Sequence, residues 1–117
     1  MSKLFAMAIP VAPGKTEQFK TFTSQLNGAK SNDFKASRKK LNVRERTFFQ
    51  STPHGDMVIV TLEGPDPVTA FQNFASGNDD FTNWFVGQVN EIHGFDLRNP
   101  PPGPMPELIV DSMGASN

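Results

Sequence analysis

Two short stretches of this chain are apolar on both of their alternating faces, and that restricts the available folds more than any other feature. In Leu4-Phe5-Ala6-Met7-Ala8-Ile9-Pro10-Val11-Ala12 one face carries Phe5, Met7, Ile9 and Val11 and the other Leu4, Ala6 and Ala8. In Met57-Val58-Ile59-Val60-Thr61-Leu62 one face carries Val58, Val60 and Leu62 and the other Met57 and Ile59. Successive strand side chains point to opposite sides of a sheet, so strands of this kind need apolar cover on both sides. Helices of the same chain supply one layer; the second has to come from elsewhere.

The segments between these stretches read as helices and one further strand. Phe19, Phe22 and Leu26 recur at helical spacing among polar residues, closed by Asn27-Gly28. A second helical piece opens at Ser31 or Asn32 and carries Phe34 and Leu41 inward, with its basic residues outward. From Val43 to Thr52 the residues alternate, with Arg44, Arg46, Phe48 and Gln50 on one face and Val43, Glu45, Thr47 and Phe49 on the other. Pro53-His54-Gly55-Asp56 then forms the turn of a hairpin with the apolar run that follows. Asp66-Pro67 is a helix start with Asp66 as N-cap, ahead of a stripe of Val68, Phe71, Phe74 and Ala75. Asn78 or Asp79 caps a further helix with Phe81, Phe85, Val89 and Ile92 buried and Gly94 as its stop. Phe95-Asp96-Leu97-Arg98 is expected as a short last strand.

In order, strand, helix, strand, strand, helix, strand is the split arrangement of the ferredoxin-like fold, an α+β βαββαβ unit with both helices on one face of a four-stranded antiparallel sheet. Residues 1–98 form this domain, and residues 99–117 a proline-rich arm that is neither helix nor central strand. The arm ends in Glu107-Leu108-Ile109-Val110-Asp111, which suits an edge strand, before a frayed terminus. The uncovered sheet face points to a homodimer, with the apolar tip Leu108-Ile109-Val110 either on the partner's sheet edge or covering the chain's own.

Charge and composition exclude several roles. Residues 1–53 carry a net charge of +7 and residues 54–117 carry −8, a split that suits contacts within the chain or between two copies better than nucleic acid. The basic cluster Lys30, Lys35, Arg38, Lys39 and Lys40 accordingly reads as a solvated helix face. Without cysteine there is neither a disulfide framework nor a thiolate nucleophile. No metal or cofactor site is expected: His54 with Asp56 alone falls short of a stable ligand set. The start, Met1-Ser2-Lys3 and an apolar run broken by Pro10, is too short for a signal peptide or a membrane span, so a cytoplasmic location and no membrane partner are expected.

The opening Val11-Ala12-Pro13-Gly14-Lys15, the central hairpin and the broken second helical region resemble the dimeric α/β-barrel superfamily, which includes antibiotic-biosynthesis-type monooxygenases, haem-degrading monooxygenases and stress-response barrel proteins. His54-Gly55-Asp56 and Glu91-Ile92-His93-Gly94-Phe95-Asp96-Leu97 are similar to an uncharacterised bacterial branch of it. The likeness covers residues 3–98 and implies a ligand cavity between sheet and helices. Trp84 and His93 lie on the two borders of the last helix's buried stripe, around Phe85, by the rotation of about 100° per residue. His93 is either a general base or a haem ligand, or a ring that donates to a backbone carbonyl at the helix end. Arg44 and Arg46 share one strand face and either hold an anionic ligand by forked hydrogen bonds or pair with the acidic half of the chain. The haem-degrading pattern, with its Asn on the first strand, is not met. Three functions are open: a binder of apolar or aromatic small molecules using His93, Trp84, Phe85, Arg44 and Arg46; a cofactor-independent monooxygenase or related small enzyme with His93 as base; or a structural dimer without ligand.

Overall fold

The computed structural model describes residues 2–100 and 103–114. Strand β1 (Lys3–Pro10) is followed by helices α1 (Thr16–Asn27) and α2 (Ser31–Lys40), the hairpin β2 (Arg44–Thr52) and β3 (Gly55–Gly64), and helices α3 (Pro67–Gln72) and α4 (Asp80–His93). Both ladders are antiparallel and the order is β1-β3-β2, so the doubly apolar run of residues 57–62 occupies the centre. The register places Phe5, Met7 and Ile9 opposite Leu62, Val60 and Val58. On the other side of β3 these pair with Glu45, Thr47 and Phe49. This inner face meets Phe19, Phe22, Phe81, Phe85, Val89 and Ile92 from the helices, and Leu62 and Ile92 at its centre are completely buried. Burying each such side chain contributes about 1.5–3 kcal/mol.

Among the described residues the sheet has three strands, which corrects the four-stranded ferredoxin-like expectation. Residues 95–98 join no ladder and run into a turn over 96–99: the Asp96 carboxylate accepts from Arg98 N at 2.9 Å and the Asp96 carbonyl from Asn99 N at 3.0 Å. Arg98 then fastens this turn to the loop between α3 and α4, donating to the Ala75 and Gly77 carbonyls and to Asn83 Oδ1. Side chain–backbone bonding by an Asp competes with a ladder, and the segment therefore never reaches β1. Phe95 and Leu97 still pack against the core.

Among the described residues four helices, not two, cover the sheet, because the α1–α2 and α3–α4 breaks are complete. The expected caps form: Asp66 accepts from Thr69 N and Asp79 from Thr82 N, while Gly94 ends α4 in the left-handed region at φ 66°. Val68 departs from its expected stripe and is exposed; Pro67 and Ala70 are buried in its place. Residues 107–111 form no ladder, so among the described residues the arm adds no strand to the sheet. Of the end expected to fray, residues 112–117, Met113 N and Gly114 N donate to the Asp111 carboxylate and carbonyl in a turn, while residues 115–117, like Pro101 and Pro102, lie outside the described residues. No described helix is long and apolar enough to cross a membrane.

The start of β2 and the end of β3 meet tightly. Asn42 closes α2 in the left-handed region at φ 59°, and its carbonyl lies where a Cβ on Gly64 would come within 2.4 Å. Gly64→Ala therefore has to displace backbone, and urea unfolding is expected to show a loss of about 1–3 kcal/mol. A midpoint equal to that of the wild type would mean that this junction gives way freely.

Candidate functional site

A cavity of about 380 Å³ lies between the inner sheet face and the helices. Its floor is Met7, Ile9, Val58, Val60 and Phe49; α1 contributes Phe19, Phe22 and Leu26, and α4 contributes Phe85, Val89 and His93. Phe34, Phe71 and Phe74 close the ends. Thr23 and Asn27 of α1 and Thr47 and Phe48 on β2 also line it, and β2 is an edge strand, so the mouth lies along that edge. Its walls are mostly aromatic and aliphatic, with a few polar groups, the usual make-up of a small-molecule site.

His93 is the one titratable side chain in the wall that is not held in an ion pair. As the last residue of α4 it reaches the end of β1, where Nδ1 lies 2.8 Å from the Pro10 carbonyl. A carbonyl only accepts, so this contact assigns the proton to Nδ1 and leaves Nε2 of the neutral ring as an acceptor. Burial pushes the imidazole below its ordinary value, and the Pro10 bond offsets this in part. The ring thus stays neutral through the neutral pH range. Phe19 meets it edge-on at 6.4 Å and stacks in turn on Phe49 at 5.6 Å. The bonded carbonyl belongs to β1, whereas the sequence pattern had pointed to one at the helix end.

Glu45 is the second ionisable group in the wall, and its charge is matched on the spot. Arg38 Nε donates to Glu45 Oε1 at 2.6 Å, and both side chains are 6% exposed. Thr47 donates to the other carboxylate oxygen at 3.3 Å, and Arg38 Nη1 donates to Ser37 Oγ at 2.8 Å. The guanidinium carbon sits 3.8 Å from the centroid of Phe74, 4.7 Å from Phe85 and 5.0 Å from Phe34. Three ring faces replace water around the cation. Arg38 is thus not part of a solvated basic face: it occupies the helical stripe between Phe34 and Leu41. That position, and Glu45 on the otherwise inward face of β2, were the sequence signals for the pair.

The remaining anticipated residues divide. Phe85 lines the cavity beside His93. Trp84 stands behind the wall, packed on Phe22 at 5.3 Å and Phe81 at 5.8 Å with the Lys30 ammonium 4.7 Å from its ring centroid. Arg44 and Arg46 lie on the opposite sheet face, because the alternation that turns Glu45 and Thr47 inward turns them outward. Arg46 there bonds Glu63 at 3.2 Å. At the hairpin tip His54 is exposed, and Asp56 is held by the Thr16 and Ser51 hydroxyls, which lower its pKa. Among the described residues no three His, Cys, Asp or Glu side chains gather as metal ligands. No family model, curated protein or solved structure matches the chain.

Removing one member of the Arg38–Glu45 pair strands a buried charge. Glu45→Ala is expected to destabilise by about 3–5 kcal/mol in chemical denaturation, and the double change Arg38→Met with Glu45→Leu to recover most of that loss. Equal losses in the single and double variants would show that the charges do not depend on each other.

Proposed function

We propose that the protein binds an apolar, ring-bearing small molecule in the cavity between sheet and helices, with His93 Nε2 accepting a hydrogen bond from it. The observation that carries this reading is the pairing of a largely apolar cavity of about 380 Å³ with one imidazole in its wall, its orientation set by the Pro10 carbonyl. Apolar walls supply affinity, and a single oriented acceptor selects ligands with a donor at one end. A structural dimer without ligand has no need of such a cavity.

Phenylnaphthylamine, a neutral fluorescent amine with one N–H donor, is a suitable probe. The wild type is expected to enhance and blue-shift its emission saturably, and Thr47→Trp, which fills the mouth, to abolish this with unchanged circular dichroism. His93→Leu is expected to weaken binding about fivefold, the value of one hydrogen bond. No saturable signal with the wild type would remove the reading. Because the folded imidazole titrates below its ordinary 6.5, affinity is expected to hold from neutral pH down to that value and to decline below it as Nε2 is protonated. A profile that stays flat in the acid range would show that Nε2 makes no contact.

The same bare Nε2 supports a second reading, a cofactor-independent monooxygenase in which His93 takes the proton of a naphthol-type phenol, whose electron-rich ring then reacts with dioxygen to give a quinone and water, the substrate itself supplying the electrons. Oxygen uptake with a naphthol substrate, lost in His93→Ala, would distinguish enzyme from binder.

The protein acts as a homodimer through its outer sheet face and C-terminal arm. That face presents Leu4, Ala6, Ala8, Met57, Ile59 and Phe48, with Phe48 55% exposed. A two-fold contact covers it with an identical surface. Sedimentation velocity is expected to give twice the chain mass for the wild type and a single chain for Ile59→Glu; a wild type that remains single at high concentration would disprove the pairing.

A further inference from the structure

The two ionisable groups of the cavity wall belong to different ends of the sheet. His93 bonds the carbonyl of Pro10, which pairs with Met57 of β3, whereas Glu45 pairs with Leu62. Those two levels of β3 lie about 16 Å apart, at roughly 3.3 Å per residue. Both side chains nevertheless line the same cavity, together with the rings of Phe19, Phe22, Phe49 and Phe85.

Each end offers an acceptor. At the first it is Nε2 of the His93 ring, since Nδ1 faces a carbonyl that can only accept. At the second it is Oε2 of Glu45. Arg38 Nε takes Oε1 at 2.6 Å, while Oε2 receives the Thr47 hydroxyl at a long 3.3 Å. A carboxylate oxygen has room for two hydrogen bonds, and with the side chain 6% exposed bulk water reaches it poorly. Charge then limits what suits this atom. The Arg38 guanidinium, enclosed by the rings of Phe34, Phe74 and Phe85, already balances the carboxylate. An ammonium at Oε2 would be a second, unmatched cation between apolar walls, and an anion would meet a like charge; a neutral donor avoids both costs.

We infer that the cavity takes an elongated, uncharged aromatic diol, one hydroxyl donating to His93 Nε2 and the other to Glu45 Oε2, with its rings against the phenylalanine walls between them. The inference rests on the cavity reading proposed above and adds a second anchor and the class of ligand. A volume of about 380 Å³ lies in the range of small-molecule sites and suits a molecule of two rings.

Three neutral fluorescent stilbenes test this on the full-length wild type: para-hydroxystilbene, the para,para′-diol, and the monomethyl ether of that diol, whose second oxygen accepts but cannot donate. The diol is expected to bind about tenfold more tightly than the monohydroxy compound, the value of one hydrogen bond to a charged acceptor at the low end of its range. The methyl ether is expected to bind no more tightly than the monohydroxy compound. In the Arg38→Met, Glu45→Leu double variant the advantage of the diol is expected to vanish. A diol that gains nothing over the monohydroxy compound, or a methyl ether that matches the diol, overturns the second anchor and leaves the cavity reading in place; this comparison needs no variant to fold. An advantage that persists in the double variant overturns the role of Glu45. If neither the stilbenes nor phenylnaphthylamine bind saturably, the cavity reading itself fails and the inference with it.

Discussion

Everything in this molecule is arranged around one strand hydrogen-bonded on both sides. β3 carries Val58, Val60 and Leu62 into the core and Met57 and Ile59 out of it, and its ladders to β1 and β2 settle which residue of each neighbour faces which way. A slip of one residue in the β2–β3 ladder would exchange the faces of β2: it would bring Arg44 and Arg46 into the core and expel Glu45, Thr47 and Phe49. The aromatic helix faces, the cavity beneath them and the uncovered outer surface all follow from that register. Because β2 has no second strand neighbour among the described residues, the cavity mouth lies along its edge.

The cavity wall is electrically quiet, although it contains a carboxylate. Arg38 reaches Glu45 from α2, and the rings of Phe34, Phe74 and Phe85 surround the cation. Taking two charges out of water costs several kcal/mol per ion before their attraction is counted, so the arrangement is sensitive to loss of either partner. Its consequence for the site is that His93 remains the one ionisable wall residue outside an ion pair. The imidazole is held neutral by burial and oriented by a carbonyl from the opposite layer, which couples α4 to the end of β1 at the point where a ligand would be read.

Much of the local structure was legible residue by residue. Asp66 ahead of Pro67, Asp79 ahead of Phe81, and Gly94 after His93 each signal a helix boundary through a backbone requirement that does not depend on distant partners. The two faces of β2 were equally readable, and the inward stripes of α1 and α4 matched their spacing. The site was less so. Phe85 and His93 were found because they belong to a helix whose buried face is obvious. Arg38 was missed because an Arg within a basic run looks solvated until its partner strand is known. Arg44 and Arg46 were brought toward the ligand when their strand face was identified but not which of its two faces met the helices.

Short-range patterning determined the helices, the hairpin, the doubly apolar strands and the position of His93, since periodicity, caps and turns act within a few residues. Tertiary structure alone decided that residues 95–98 leave the sheet for a turn held by Arg98, that Arg38 joins the core, and that residues 107–111 form no ladder. Those outcomes hinge on partners 7 to 23 residues away or more, and whether a charge is solvated or a backbone amide joins a ladder depends on what the rest of the chain brings alongside it.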